Sequence, residues 1–355
     1  MTGIFQSALA AGRGLLVGWI LPSLINVLIF GFVVVPELSR FDAPGAEAAR
    51  AAIFGLVATA VLGLVLAALQ IPLYRVLEGH LGWPRRLAQA RRRRHLARKH
   101  LVRNRVDAVS LVRRERHLTG DEKSVLDAFR AHPVISRHLA ADLRRGPVWF
   151  AVLEERLHRY PVDDRQVAAT RLGNAIRRFE EYGHDRYRLD SQVLWHELNA
   201  AVPEPVRKQT DDARMSVDFF VCLLYGHLLV VVAAGIDLAL GAAVRPWLVV
   251  ATMIGLLPLT VIWYRLAVVA TDEWAGAVRA MVNLGRQPLA TALGFALPQQ
   301  IDEERAMWRL FGDLVGSGFR PGLDALDAYR VAPEEPGAGD PPRPAEPAPG
   351  DGRPS

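Results

Sequence analysis

Residues 217–240 have the sequence VDFFVCLLYGHLLVVVAAGIDLAL, in which apolar side chains far outnumber the two acids and the histidine. At about 1.5 Å per residue, a helix of this length reaches across a hydrocarbon core of ~30 Å. Three other runs of the same kind occupy residues 14–36, 51–74 and 247–270. The sequence therefore predicts an all-α membrane protein with four spans, arranged as two transmembrane helical hairpins that flank a cytoplasmic helical domain.

The charge of this 355-residue chain is concentrated between the two pairs of apolar runs. The chain has 43 Lys and Arg, 37 Asp and Glu and a formal net charge of +6, and 30 of the 43 cations lie from Arg75 to Arg214. The one cysteine, Cys222, lies inside an apolar run, where it is expected to be a small packing residue. The first run is longer than the apolar segment of a signal peptide, so we interpret it as an uncleaved span.

The distribution of arginine predicts the orientation, because cytoplasmic flanks of spans collect Lys and Arg. The flank after the second run holds seven arginines from Arg75 to Arg94, whereas the loop 37–50 holds three acids and two arginines. We therefore predict a multi-pass plasma-membrane protein with both termini in the cytoplasm. Its predicted parts are a lead-in (1–13), a first hairpin (14–74), a basic all-α domain (75–216), a second hairpin (217–270), C-terminal helices (271–330) and a disordered proline-rich tail (331–355).

A polybasic segment follows the second span. From Arg85 to Arg116 it has thirteen Lys and Arg, two acids and no glycine or proline, which predicts a helix. Three interpretations are open: contact with anionic lipid headgroups, a solvated helix that only enforces topology, or nucleic-acid binding, which the lack of interleaved aromatic residues disfavours. The residues expected to contact lipid or a partner are Arg91, Arg92, Arg93, Arg94, Arg98 and Lys99.

Turn residues divide the rest of the chain into shorter helices. Helices are expected at 121–131, 133–143, 148–159, 165–182 and 190–201. Gly183 is expected to end the fourth of them, and Pro205 to open a helix that runs into the third span. After the fourth span we expect a helix to Leu284, capped by Gly285, and then helices at 288–295 and 301–315.

Several short motifs occur in a familiar order. They are TRLGN at 170–174, EEY at 180–182, VLW at 193–195, VPE at 202–204 and YRLA at 264–267. Over roughly residues 165–310 the chain resembles an uncharacterised family of integral membrane proteins of high-GC Gram-positive (actinobacterial) bacteria. The chain departs from the family pattern at residues 196–197 and 283–286. The resemblance implies a bacterial inner-membrane location and carries no established activity.

Two groups of polar residues are candidate sites. Within the spans, Asn26 and His227 are candidates because polar groups are costly inside a bilayer. The second group is either a ligand pocket or a packing junction, with Trp195 buried and an ion pair between Glu180 and Arg186. Its members are Asn174, Glu180, Arg186, Tyr187, Asp190 and Trp195.

The sequence has no HExxH pair, cysteine pair, Gly-rich phosphate loop or GxSxG elbow, so no cofactor or metal is predicted and an enzyme lacks positive support. The leading hypothesis is a membrane-anchored scaffold or interaction protein that contacts membrane lipids, and anionic lipids in particular, together with a protein partner or a second copy of itself. Nucleic acid is not an expected partner. The alternative is a small oligomeric transporter or channel component, which predicts that Asn26 and His227 face each other or a wet cavity.

Overall fold

The computed structural model describes residues 12–34, 45–318 and 320–331. The described ranges are helical, and the β-type contact found in them is an isolated antiparallel bridge between Phe295 and Arg330. The predictions for most of the lead-in, for residues 37–44 of the first interhelical loop and for the proline-rich tail lie outside the described residues.

Twelve α-helices occupy the described residues. In chain order they are α1 (Gly12–Val33), α2 (Gly45–Ala68), α3 (Gln70–Glu78), α4 (Arg85–Arg113), α5 (Gly120–Ala131), α6 (Pro133–His158), α7 (Arg171–Glu180), α8 (Tyr182–Tyr187), α9 (Trp195–Ala201), α10 (Glu204–Ala239), α11 (Pro246–Ala292) and α12 (Ile301–Ser317). A π-helical turn interrupts α1 at Leu16–Ile20.

Four of these helices, α1, α2, α10 and α11, are long and apolar enough to cross a membrane. In α11 only 11% of the most apolar window is buried within the protein. Large apolar side chains are exposed on all four helices, among them Leu28, Phe54, Val232 and Ile254. A continuous exposed apolar surface needs a non-aqueous neighbour, as helices that face lipid have. The prediction of an all-helical protein with four helices long and apolar enough to span a membrane is confirmed for the described residues.

The described residues form two further packing units. The main core joins α7, α9, α11 and α12 to the middle of α10, and it buries Trp308 and Phe311. The second unit consists of α4, α5 and α6, with Val106 of α4 packed near Leu153 of α6. Arg159, just after α6, joins the two units through an ion pair with Asp272 of α11.

The two helices expected at 133–143 and 148–159 are confirmed, because α6 is broken at Gly146, where φ is 77° and ψ is -170°. Two other boundaries differ from the prediction for local reasons. The helix expected at 165–182 begins only at Arg171, because Thr170 caps it by accepting a hydrogen bond from Gly173 N. The helix expected at 190–201 begins at Trp195, after a turn in which the Asp190 carboxylate accepts from two backbone N–H groups.

Neither of the two glycines expected to end helices does so. Gly183 lies inside α8, where an added Cβ would come within 2.7 Å of the carbonyl oxygen of Leu189. Gly285 lies inside α11, which continues to Ala292, and an added Cβ there would come within 2.6 Å of Leu198 on α9. Both glycines permit close packing between backbones. A glycine in the sequence alone does not show whether it has this role or ends a helix.

Candidate functional site

The arginine helix α4 uses part of its charge to hold the rest of its own domain. Lys99 is 1% exposed, and its Nζ donates to Asp164 Oδ1 at 2.6 Å and to the Val162 carbonyl at 2.8 Å. Arg92 donates to the carbonyl oxygens of Arg165 and Val167 at 2.7 and 3.0 Å. Lys99 lies inside the protein, so the prediction that it contacts lipid or a partner is wrong.

The other arginines of α4 behave differently. A cleft of about 560 Å³ lies between the loop after α3, the first half of α4, the start of α7 and the middle of α11. All the arginines that line it are exposed, and none forms an ion pair among the described residues. None of the described residues that line the cleft is acidic. The arginines are Arg91, Arg94, Arg98, Arg171 and Arg265.

Close backbone packing brings α7 to this position. Gly173 lies so near the end of α3 that an added Cβ would be 2.4 Å from the carbonyl oxygen of Glu78. Gly79 adopts a φ of 89° and packs against Ala169 and Thr170. These contacts hold residues 167–171 against the end of α3, with Arg171 at the first turn of α7.

A hydrogen bond and a cap complete the arrangement. The Tyr264 hydroxyl accepts from Leu172 N at 3.3 Å, which places Arg265 of α11 beside the start of α7. The Asn174 side chain is 1% exposed and bonds to backbone groups of Ala168 and Thr170, so it supports the loop before α7. Asn174 is therefore a positioning residue rather than part of a ligand surface.

The electrostatics of the cleft are seen at His95, which lies in its wall. The imidazole is buried and its Nδ1 is 3.1 Å from the Tyr160 hydroxyl. Burial, and then the positive charges of Arg98, Arg171 and Arg91, lower the pKa of His95 to about 4. The imidazole is neutral at pH 7, and the cleft has a positive field without a protein counter-charge from the described residues.

Three of the cleft residues escape sequence reasoning. Arg171 and Arg265 are distant from α4 in the sequence, and Trp83 resembles an ordinary interfacial aromatic residue. Trp83 Nε1 donates to the Val76 carbonyl at 2.8 Å, and the guanidinium of Arg91 lies 5.9 Å from the centre of its ring. The signal available in sequence was the presence of Arg171 and Arg265 within the TRLGN and YRLA motifs.

The second predicted cluster does not converge on one site. Asp190 holds a turn, and Arg186 is exposed and lies near the Tyr182 ring at 5.7 Å. The Tyr187 hydroxyl donates to Asn283 at 3.1 Å, and its ring lies 3.7 Å from the guanidinium carbon of Arg286. These side chains serve separate contacts.

The expected ion pair between Glu180 and Arg186 is not formed, since Glu180 pairs with Arg177 at 3.2 Å. Glu180 and Trp195 do line one cleft, of about 400 Å³, together with Glu78 and Arg214. Burial, and then the charge of Glu180, raise the pKa of Glu78. Trp195 packs against the main core but is only half-buried, which is less than the predicted burial. The lining of this cleft contains both acidic and basic side chains, so its charge favours neither an anionic nor a cationic ligand.

Asn26 of α1 and His227 of α10 face each other. His227 Nδ1 lies 2.7 Å from Asn26 Oδ1, and Asn26 Nδ2 donates to the Pro22 carbonyl at 2.8 Å. An amide oxygen only accepts, so Nδ1 of His227 is the donor. The two side chains are 1% and 2% exposed, and Asn26 rests on Gly226, where an added Cβ would be 2.1 Å from it. The pair joins two candidate membrane helices.

A further polar contact was not predicted as part of a site. The buried Asp218 carboxylate of α10 accepts from Tyr74 Oη at 2.7 Å and Gln70 Nε2 at 2.8 Å. Both donors belong to α3, which follows α2. Cys222, one turn further along α10, is buried and donates to the Trp19 carbonyl at 3.4 Å, in agreement with its predicted role in packing.

Comparisons with known proteins give no identification, because no family model, curated protein or solved structure matches the chain. The family resemblance of the motifs stays a prediction. The function is therefore argued from the geometry.

Proposed function

We propose that this protein is a membrane-anchored interaction protein of the bacterial inner membrane, with its helical domain in the cytoplasm and α4 in contact with anionic lipid headgroups. The same domain would offer a surface to a protein partner or a second copy of the chain. The observation that carries the proposal is the set of exposed arginines at the start of α4, beside Arg265 of α11, which have no counter-charge among the described residues that line the cleft.

The position of these arginines relative to the apolar helices supports the proposal. Val76 of α3 and Val261 and Tyr264 of α11 share the cleft with the arginines. We therefore expect the cleft to lie near the cytoplasmic ends of the apolar segments, at the level where Trp and Tyr belts are found. Each Lys or Arg near an anionic bilayer surface contributes roughly 1 kcal/mol to the attraction.

A fluorescence-quenching experiment tests the proposal. A fluorophore is attached at Arg93→Cys in a Cys222→Ala background, and the full-length protein is placed in nanodiscs that contain a headgroup quencher. We expect stronger quenching in anionic than in neutral nanodiscs. The difference should disappear at high salt, because the Debye screening length falls from about 8–10 Å near physiological ionic strength to about 3 Å at 1 M. A label at Asp127→Cys on exposed α5, which packs at the opposite end of α4, is the control. Equal quenching at both positions would refute the proposal.

Transport is a second candidate, favoured by the facing pair of Asn26 and His227 at 2.7 Å. It ranks below the first because both side chains are almost fully buried and bonded to each other. Proton flux into proteoliposomes tests it, with His227→Leu as the variant. A flux in the wild type that the variant lacks would favour transport, and no flux in either would remove it.

A further inference from the structure

We infer that the cleft between α4, α7 and α11 binds one anion that carries a phosphate group. This inference deepens the proposed function and rests on it for the position of the cleft at the membrane surface. It specifies a phosphate group as the ligand of the arginines, whereas a general attraction of α4 to an anionic bilayer requires no specific ligand.

The first argument is charge. Five arginines line one cleft, and the described lining residues include no carboxylate. Elsewhere on the domain the pattern is different: Arg105, Arg130 and Arg159 each have a carboxylate partner. The mutual repulsion of the cleft arginines is offset by no acid among the described residues that line the cleft, so an external anion is the natural counter-charge.

The second argument is geometry. The guanidiniums come from three separate elements, with Arg91, Arg94 and Arg98 on one helix face, Arg171 opposite on α7 and Arg265 on α11. A guanidinium donates two parallel hydrogen bonds to phosphate oxygens, and several guanidiniums around one phosphate match its tetrahedral set of acceptors. The first turn of α7 also faces the cleft through Thr170 and Arg171, and its dipole favours an anion there.

The third argument is size and composition. The cleft volume of about 560 Å³ lies within the usual range for small-ligand sites of roughly 300–1,000 Å³. The lining also includes Val76, Leu77 and Val261, which suit the glycerol and first carbons of a lipid. A phosphate group is common to a lipid headgroup and to a soluble phosphate compound, and the experiment separates these two sources.

Calorimetric titration of the detergent-solubilised full-length protein tests the inference. The probes are dihexanoyl phosphatidic acid, dihexanoyl phosphatidylcholine and inorganic pyrophosphate at low salt. The cleft variant is Arg94→Gln with Arg171→Gln. The matched control is Arg86→Gln with Arg93→Gln, which removes the same charge from exposed positions outside the cleft. Helical content and thermal unfolding are recorded for each variant, and the two cleft substitutions are also measured singly.

We expect one phosphatidic acid per chain and no saturable binding of phosphatidylcholine. The cleft variant should bind about tenfold more weakly or worse, since charge-assisted hydrogen bonds are the strong ones, while the control should change by less than about threefold. Tight binding of pyrophosphate would assign the site to a soluble phosphate, and binding of the lipid alone would assign it to a headgroup. Either result supports a phosphate site.

The inference is wrong if the wild type binds neither anion, or if the cleft and control variants weaken binding equally. An independent readout is the pKa of His95 by NMR, which should rise from about 4 when the anion is bound, because the anion offsets the neighbouring arginines. Quenching at position 93 reports bilayer contact whether or not the cleft is filled. An empty cleft with a quenched label would leave the proposed function intact, and the reverse result would leave the phosphate site intact.

Discussion

Replacement of Asp142 by asparagine tests whether a buried ion pair holds the arginine helix to α6. Arg105 of α4 donates Nε to Asp142 Oδ2 at 2.8 Å and Nη2 to Oδ1 at 2.6 Å, and Trp149 Nε1 donates to Oδ1 at 2.7 Å. Burial alone would raise the pKa of this carboxyl, but the hydrogen bonds from Arg105 and Trp149 outweigh it, and the pKa is lowered. Asp142 is therefore charged at neutral pH.

The magnitude follows from the burial of the pair. The Arg105 and Asp142 side chains are 11% and 1% exposed. Loss of one partner of a buried pair costs ~3–5 kcal/mol, and the lower end applies here because Arg105 retains some access to water. Asparagine keeps the shape and an acceptor for Trp149, so we expect about 3 kcal/mol, or more than 100-fold in the local opening equilibrium. Because the pKa of Asp142 is lower in the folded state than in the unfolded state, the charged carboxylate stabilises the fold at pH values above the unfolded-state pKa. This stabilisation is lost as the pH falls through the folded-state pKa, so the full effect is measured at neutral pH.

Hydrogen exchange of backbone amides in α4 and α6, measured on the full-length protein at pH 7, reports this opening. The control is Glu115→Gln, which breaks the exposed pair with Arg130, in which the two side chains are 47% and 45% exposed. An exposed pair contributes at most about 1 kcal/mol, so exchange should rise by less than about sixfold. If Asp142→Asn changed exchange no more than the control, the buried pair would not be what holds the two helices.

Four further predictions concern topology, packing and pH. Reporter fusions should show a cytoplasmic location at Ala141 and an external one at Ala46, and a cytoplasmic signal at Ala46 would overturn the orientation. Trp195→Ala should lower the free energy of unfolding by less than about 3 kcal/mol, because the ring is half-buried, and a larger loss would mean that it is buried in solution. Gly285→Ala should lower the free energy of unfolding by about 1–2 kcal/mol, because the added Cβ contacts α9. Gly255→Ala should not lower it, because an added Cβ there meets no described atom within 4 Å outside its own helix backbone. Lys99 and then His100 lower the pKa of Asp164 to about 2, so the stability that Asp164 contributes should be lost as pH falls from about 5 to 2, and Asp164→Asn should show a shallower melting-temperature profile over that range.

The apolar spans and the arginine helix were predictable because their signals are long. A run of about 20 apolar residues or an uninterrupted helix of 29 residues, as in Arg85–Arg113, leaves few alternatives. The short helices around Thr170 and Asp190 were misplaced because single side-chain caps, rather than periodicity, decide where they begin. Gly285 was misjudged because its role depends on Leu198, a residue far away in the sequence.

The candidate site was predictable only in part, for a similar reason. The run at 91–94 marks α4 as the basic element, but nothing in the sequence distinguishes the roles of its cations. In the structure Arg92 and Lys99 are bonded to the loop at 162–167, while Arg91 and Arg94 line the cleft. The division depends on which side of α4 the loop covers, and that is a tertiary fact.

The assembly of the cleft is itself informative, because like charges do not gather without other contacts to hold them. Gly173 packs against the end of α3 and Leu172 N donates to the Tyr264 hydroxyl at 3.3 Å, which joins α7 to α3 and α11. The Arg92 side chain donates to two carbonyl oxygens of the loop before α7, which joins α4 to it. Asp218 anchors α3 to α10 through Tyr74, so the same network reaches a third candidate membrane helix. These contacts keep Arg171 and Arg265 near the arginines of α4 despite the repulsion between like charges. If the arginines served only to set the membrane orientation, they would not need to be close together. The fold thus holds the backbones of these arginines around one cleft, and an anion that enters it would have to order only their side chains.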